Sequence, residues 1–346
     1  MRGVTIAAVI LAAGSSTRFG SPKAAARIGS RTLVGIAVDT ATAAGLTPVI
    51  VVAPSGLDVP ATAEAVRNDQ ASLGMSRSLR LGIAAVPADA EAVVVLLADQ
   101  PTVDSDHLRS LEGWRGATPV VATRTEGSVG PPLLIEREGF SLLEAAGGDQ
   151  GLRDLLRSDP ALVTPVDHAA FPDVDTPQDL ERITEACPGC AARYLPHQLD
   201  ETHPYIGASP ACWATFGEVL AREFENVSFG RVHRHTVDTY AVQHPGTDER
   251  RQRQSVALHL VGLCQWLEHG LELDRLNAIT QRLANGDREW PWLSPPTSYS
   301  MTVGDLLEAR DGPEHAQLVR RWAETTWAAW GPHHGLVRAW AEAALD

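Results

Sequence analysis

The sequence predicts an α/β fold: a doubly wound, mostly parallel Rossmann-like sheet, followed by a mainly α-helical domain. Two observations carry this reading. In the first part of the chain, short runs that are apolar throughout alternate with helix-like stretches, as strands covered on both faces of a parallel sheet require. Near Ala186 the composition then changes: eight of the nine Trp, all four Cys and ten of the twelve His follow that point. A length of 346 residues suits two domains with separate cores. The expected domains are residues 1–184 and 185–346, with a short break and no internal repeat.

Taken in order, residues 6–11 (Ile-Ala-Ala-Val-Ile-Leu) read as a buried strand, and residues 33–44 as a helix ended by Gly45. Residues 48–52, 92–97 and 118–122 supply three further strands. Past residue 186 the strand-like runs stop. Residues 255–269, 271–284 and 316–330 carry helical periodicity, and Trp322, Trp327, Trp330 and Trp340 are expected to form a helical core.

A net charge of −14 excludes a general nucleic-acid or anionic-membrane binder, because such partners reward basic surfaces. Four Cys are too few for a disulfide scaffold and suggest a reduced setting. The apolar run 4–13 starts from a single charge and leads into Gly14-Ser15-Ser16 without a polar mature segment, unlike a secretion leader. Charges or prolines interrupt every other apolar run. The expectation is a soluble, cytoplasmic protein with no membrane or nucleic-acid partner.

Of 29 Lys+Arg residues only Lys23 is lysine. A compact ammonium on a flexible stem differs from a planar fork, and a crowded polyphosphate pocket is where that difference counts. Lys23 closes the segment Leu11-Ala12-Ala13-Gly14-Ser15-Ser16-Thr17-Arg18-Phe19-Gly20-Ser21-Pro22-Lys23, directly after the first strand. Small residues there let backbone N–H groups approach an anion, and Arg18 and Lys23 add charge. The segment lacks both the Gly-Lys-Ser/Thr ending of a P-loop and the Gly-x-Gly-x-x-Gly of a dinucleotide fold. Asp99, in Leu97-Ala98-Asp99-Gln100-Pro101, follows the strand over 92–97 and would point into the ligand crevice, where a divalent cation is its natural partner. Capping of the next helix is the plainer alternative.

These residues resemble the signature loop of the nucleotidyltransferases that include the molybdenum-cofactor enzymes (MobA-like), with Phe19 where the family carries Met. The resemblance implies a nucleotide-diphospho-sugar-transferase-like sheet. It implies that Leu11, Ala12, Ala13, Gly14, Arg18 and Lys23 hold an NTP triphosphate, and that Arg18, Lys23 and Asp99 act catalytically. Asp175, before Thr176-Pro177, matches the family's closing motif and joins Asp99 as an implied Mg²⁺ ligand. Asn68, Gly74, Ser76 and Ser78 fall in the segment that contacts base and ribose. Residues 147–153 (Gly-Gly-Asp-Gln-Gly-Leu-Arg) resemble a stretch of the molybdopterin cytidylyltransferase branch, although Gly130-Pro131-Pro132 stands where that branch has Gly-His-Pro. The implied activity is Mg²⁺-dependent transfer of a nucleotidyl group to a phosphorylated acceptor. CTP is the favoured donor and GTP the next, with molybdopterin the favoured acceptor and a molybdoenzyme a candidate partner. The alternatives are another phosphorylated small molecule, or a non-catalytic nucleotide or cofactor carrier.

In the second part, Cys187-Pro188-Gly189-Cys190 has the shape of half a zinc site. The completing ligands are open among His203, Cys212, His233, His235 and His244. The polar residues of 233–246 and 255–259, with Tyr205 and Trp213, either line a pocket or metal site or belong to a helical core with satisfied histidines, and the Cys pair alone also admits no metal or a redox role. From Cys187 on, the chain also resembles an uncharacterised bacterial helical family with a Cys-Pro-x-Cys start, which brings no function with it.

Overall fold

The computed structural model describes residues 5–14, 19–20, 22–70, 74–145, 156, 159–196, 202–203 and 205–345. The chain forms two compact units, Met1–Arg27 with Arg31–Ile183, and Ile28–Ser30 with Thr184–Asp346.

Up to residue 183 the strands are β1 (Ile6–Leu11), the two-residue β2 (Arg27–Ile28) and β3 (Arg31–Thr32), β4 (Val49–Ala53), β5 (Glu64–Arg67), β6 (Ala92–Leu97), β7 (Val120–Thr125), β8 (Ser128–Glu136) and β9 (Val163–Asp167). Seven of them make one sheet in the order β5-β4-β1-β6-β8-β7-β9. The pairs β4–β5, β1–β4, β1–β6 and β7–β9 are parallel, and β8 runs antiparallel to both neighbours. The mostly parallel, doubly wound architecture expected from the apolar runs is thus observed, with one antiparallel insertion.

Alternation along β1 shows why the run is apolar on both faces. Ala8 and Ile10 pack with Val34, Val38 and Ala41 of helix α1 (Leu33–Ala43) and with Leu108 and Leu111 of a later helix. Ala7 and Val9 face Leu79 of α2 (Met75–Ala85) on the other side. Fully burying each Val, Leu or Ile is worth about 1.5–3 kcal/mol, so a polar residue at any of these positions would be costly. Gly82 lets α2 approach closely, since a Cβ there would lie 2.4 Å from Val9 Cγ1 and 3.1 Å from Val52 Cγ2. Helix α1 starts where the Thr32 hydroxyl accepts from Gly35 N at 3.1 Å. Helix α3 (Ser105–Glu112) is capped likewise by Asp104, which accepts from His107 N at 2.7 Å. The unit is completed by α4 (Phe140–Ala145) and α5 (Pro177–Ile183).

The second unit opens with the antiparallel pair β10 (Glu185–Ala186) and β11 (Arg193–Tyr194). Helices follow: α6 (Pro210–Glu225), α7 (Val227–Gly230), α8 (His233–Gln243), α9 (Arg250–His269), α10 (Leu273–Ala284), α11 (Gly312–Ala329) and α12 (His334–Ala343). The tryptophan prediction holds: Trp327, Trp330 and Trp340 join one buried cluster and Trp322 another. Two of the three expected helical segments begin earlier than periodicity indicated, at Arg250 and Gly312, whereas the segment expected from residue 271 begins two residues later, at Leu273. Among the described residues, no helix is long and apolar enough to cross a membrane.

Candidate active site

The parallel strands β5, β4, β1 and β6 bring the segments that follow their carboxyl ends to one edge of the sheet. Asn68 follows β5, Ala12–Gly14 follow β1 and Asp99 follows β6. Backbone bonds Ala12 N to Val52 O (2.9 Å) and Ala98 N to Leu11 O (3.1 Å) continue the sheet into these turns. Ala12 and Ala13 are buried, while Gly14 is exposed.

Lys23 opens a short 3₁₀ turn after Pro22, and its stem passes close to Gly14. Its ammonium donates to a carboxylate oxygen of Asp99 in a short contact, and to Asp175 Oδ1 at 3.0 Å. The Lys23 and Asp99 side chains are only 17% and 16% exposed. Burial by itself lowers the Lys23 pKa, but the hydrogen bonds and charges of Asp99 and Asp175 outweigh it and raise the value above normal. Asp175 is held by the turn that starts α5, where Asp179 accepts from Asp175 N, Thr176 N and Thr176 Oγ1 at 3.1, 2.8 and 2.8 Å. Val174 N donates to Asp99 O at 2.8 Å, which ties that turn to the end of β6.

A third carboxylate belongs to the group. Asp173 accepts from Gln100 Nε2 at 3.0 Å, and its pKa is raised by burial first and then by the negative charge of Asp99. The sequence contained this residue, but nothing in an irregular Pro-Asp-Val-Asp run distinguished it from a loop carboxylate. Oxygens of Asp99 and Asp175 converge on one cationic atom, and hard carboxylate donors at a single point are what Mg²⁺ takes as ligands. The residues present therefore fit a divalent cation.

Other predicted positions are placed as follows. Asn68, Ser76 and Ser78 are buried. Asn68 Nδ2 donates to Ser78 Oγ at 2.9 Å, and its Oδ1 accepts from Gln70 N at 3.1 Å. Gly74 caps α2 at φ 96°, a value only glycine adopts easily. Arg18 and residues 147–153 lie outside the described residues. Gly130-Pro131-Pro132 falls inside β8, where the Pro132 carbonyl accepts from Thr123 Oγ1 at 2.6 Å. Thr123 Oγ1 in turn is 2.7 Å from His107 Nε2. Burial, reinforced by neighbouring His168, pushes the His107 pKa down to about 4, so its imidazole is neutral at pH 7.

In the second unit Cys187, Cys190, Cys212 and His244 come together, with one ligand atom of each within 4.8 Å of all the others. His203, His233 and His235 do not join them. His233 Nδ1 lies 2.8 Å from Glu223 Oε2, and His235 stacks on Trp266 with ring centroids 3.6 Å apart. His203 instead helps line a separate cavity of about 320 Å³ with Tyr205, Trp213, Tyr240, Arg251 and His259. At its edge the buried Asp238 accepts from His259 Nδ1 at 2.6 Å and Arg234 Nε at 2.8 Å. Of the polar and aromatic residues singled out between 205 and 259, Tyr205, Trp213, Tyr240, Ser255 and His259 line this cavity, and His233, His235 and His244 do not.

Two family models match separate parts of the chain. Residues 8–164 match the family described as MobA-like NTP transferase domain, and residues 185–331 match a family of unknown function (DUF5946). The chain is 28% identical over 211 residues to the purine catabolism protein PucB of Bacillus subtilis (strain 168), covering 54% of this chain and 99% of that one. The crystal structure of Rv0371c from Mycobacterium tuberculosis H37Rv is similar at 30% identity, over 53% of this chain and 98% of that chain, with a TM-score of 0.48. The structure of the same protein in complex with manganese is similar at 27% identity, over 52% and 97% of the two chains, with a TM-score of 0.46.

Proposed function

Because residues 8–164 belong to the MobA-like NTP transferase domain family, we propose that the first unit transfers the nucleotidyl group of an NTP to a phosphorylated small molecule. The observation that carries this reading is the lone lysine seated between Asp99 and Asp175 at the carboxyl edge of the sheet. An acceptor phosphate oxygen attacks the α-phosphorus. The new P–O bond forms as the bond to the bridging oxygen breaks, and pyrophosphate leaves with that electron pair. The nucleophile is already an anion, so no general base is required, and catalysis is positioning and charge neutralisation. Lys23, together with Arg18, places positive charge against the triphosphate. Asp99 and Asp175 would hold Mg²⁺, which supplies charge neutralisation at the phosphates. Asp173 lies beside them as a further acidic group.

The resemblance of residues 147–153 to the molybdopterin cytidylyltransferase branch favours CTP as donor and molybdopterin as acceptor, ahead of GTP with the same acceptor. The Pro131 departure is the one observation that favours a carrier without turnover. One experiment separates them. Thermal stabilisation by CTP, GTP, ATP and UTP, each with and without Mg²⁺, should single out one nucleotide and require the metal. Pyrophosphate release from that nucleotide with the acceptor should then be absent in Asp99→Ala. A protein that no nucleotide stabilises would overturn the proposal, and Mg²⁺-dependent binding without turnover would make it a carrier.

A further inference from the structure

We propose that Cys187, Cys190, Cys212 and His244 form a closed, structural zinc site that organises the second unit. All four residues are at most 2% exposed. Cys190 Sγ lies 3.9 Å from Cys212 Sγ, and Cys212 Sγ lies 3.2 Å from His244 Nε2. Zn–S bonds of about 2.3 Å and a Zn–N bond of about 2.1 Å at tetrahedral angles give edges of roughly 3.8 Å for S···S and 3.6 Å for S···N. The observed separations therefore suit one tetrahedron and are far from a disulfide, whose sulfurs sit about 2.05 Å apart. The four cysteines of the chain are free thiols.

The backbone around the cluster is built for such a centre. Ala191 N donates to Cys187 O at 2.9 Å and Cys187 N to Ala192 O at 2.8 Å, closing a knuckle in which Ala191 takes a φ of 62°. A Cβ on Gly189 would come within 2.6 Å of His244 Cδ2 and of Gly207 O, so only glycine lets the knuckle reach the histidine. The surrounding polar groups have the arrangement metal ligands need. His244 Nδ1 lies 2.8 Å from Tyr240 O, which fixes the proton on Nδ1 and leaves the Nε2 lone pair facing the sulfurs. Ser209 N donates to Cys187 Sγ at 3.4 Å and Tyr240 OH to Cys212 Sγ at 3.6 Å, offsetting the charge of three thiolates.

Four protein ligands and no solvent access leave no open coordination position, which separates this centre from a catalytic zinc, and the burial separates it from a redox pair. The ligands come from the β10–β11 knuckle, the first turn of α6 and the residue that ends α8. The metal would hold together three segments spread over 58 residues. Cys264, Glu268 and His269 also lie near one another, but Glu268 is occupied by Arg338 and the Trp327 indole.

The test is metal analysis of the full chain purified from zinc-replete cells, alongside Cys212→Ser and, as control, Cys264→Ser. About one zinc per chain is expected in the native protein and in Cys264→Ser, with a loss of at least tenfold in Cys212→Ser. Because Cys212→Ser can fail to fold, cobalt(II) is exchanged into the native protein. Thiolate-to-cobalt charge transfer with intense tetrahedral d–d bands is expected. A native protein that is stably folded without zinc, or a cobalt spectrum lacking thiolate charge transfer, overturns the assignment.

Discussion

Replacing Lys23 by methionine removes the positive charge that Asp99, Asp173 and Asp175 surround and keeps most of the stem's volume. The ammonium is 3.0 Å from Asp175 Oδ1 and closer still to Asp99. At an effective dielectric constant of about 20, unit charges 3–4 Å apart attract by roughly 4–5 kcal/mol, of which desolvation cancels much. The substitution leaves the partly buried Asp99 and Asp173 and the 39%-exposed Asp175 without their shared cation. A net loss of about 2–3 kcal/mol of stability is expected in the absence of divalent metal, below the range for a fully buried pair because Asp175 reaches solvent. In a unit of this size that lowers Tm by about 2–4 °C per kcal/mol. Mg²⁺ should then restore stability in Lys23→Met more strongly than it raises that of the native protein, since in the variant no ammonium competes for the carboxylates. Scanning fluorimetry against Mg²⁺ at constant ionic strength measures both quantities. Pyrophosphate release should meanwhile fall by about 10²-fold or more, the cost of losing one preorganised positive group at the transition state. Lys23→Arg keeps the charge but not the compact head, and should recover the stability and little of the turnover. A smaller Mg²⁺ response in Lys23→Met than in the native protein would refute the idea that lysine and metal share one set of oxygens.

Three further outcomes follow from the geometry. Gly82→Ala should destabilise the first unit by about 1–3 kcal/mol, because overpacking against Val9 outweighs the gain of about 1 kcal/mol in helix propensity; a denaturation midpoint at or above the native one would contradict it. Asp238→Ala should cost about 3–5 kcal/mol by stranding Arg234 and His259, with Asp238→Asn milder, and a loss under about 1 kcal/mol in urea would show that solvent replaces the carboxylate. Burial holds His107 and His235 down to about 4, below their unfolded value near 6.5, so protonation favours the unfolded chain. Stability should be complete above pH 6.5 and fall as pH drops from there towards 4; His107→Gln, which can still reach Thr123, should flatten part of that fall, and an unchanged slope would remove His107 from the account.

How much of this the sequence could tell depends on whether a residue's neighbours in the chain are also its neighbours in space. Strands β1, β4 and β6 were legible because both faces are covered and every residue is apolar. The antiparallel strand β8 was not, since its first half reads Ser-Val-Gly-Pro-Pro. The partner strand explains how prolines fit there. The register to β7 shifts between Ala122 and Thr123, so neither Pro131 nor Pro132 is paired in the ladder, and the Thr123 hydroxyl satisfies the Pro132 carbonyl. Lys23 could be singled out because it is the only lysine, and Asp99 because it follows a strand. Asp173 could not, because what marks it is proximity to Asp99 and Asp175 after the chain has folded.

The sulfur-rich cluster shows the same limit from the other side. The knuckle was readable because its two cysteines are three residues apart, but the other two ligands sit at helix ends, where hydrophobic periodicity carries no information about them. Cys212 lies in the first turn of α6, fixed by the Ser209 cap, whose hydroxyl accepts from Cys212 N at 3.3 Å. His244 ends α8, and its imidazole turns back onto the helix's own Tyr240 carbonyl. His233 and His235 lie on the same helix yet are about two to three turns away, and the 1.5 Å rise per residue puts them roughly 13–17 Å from His244 along the axis. Once residues 233–243 are known to be helical, that rise alone prevents either of them from sharing a metal with His244. Choosing the fourth ligand was therefore a question about secondary structure, and a segment as polar as 233–244 does not answer it through its hydrophobic pattern.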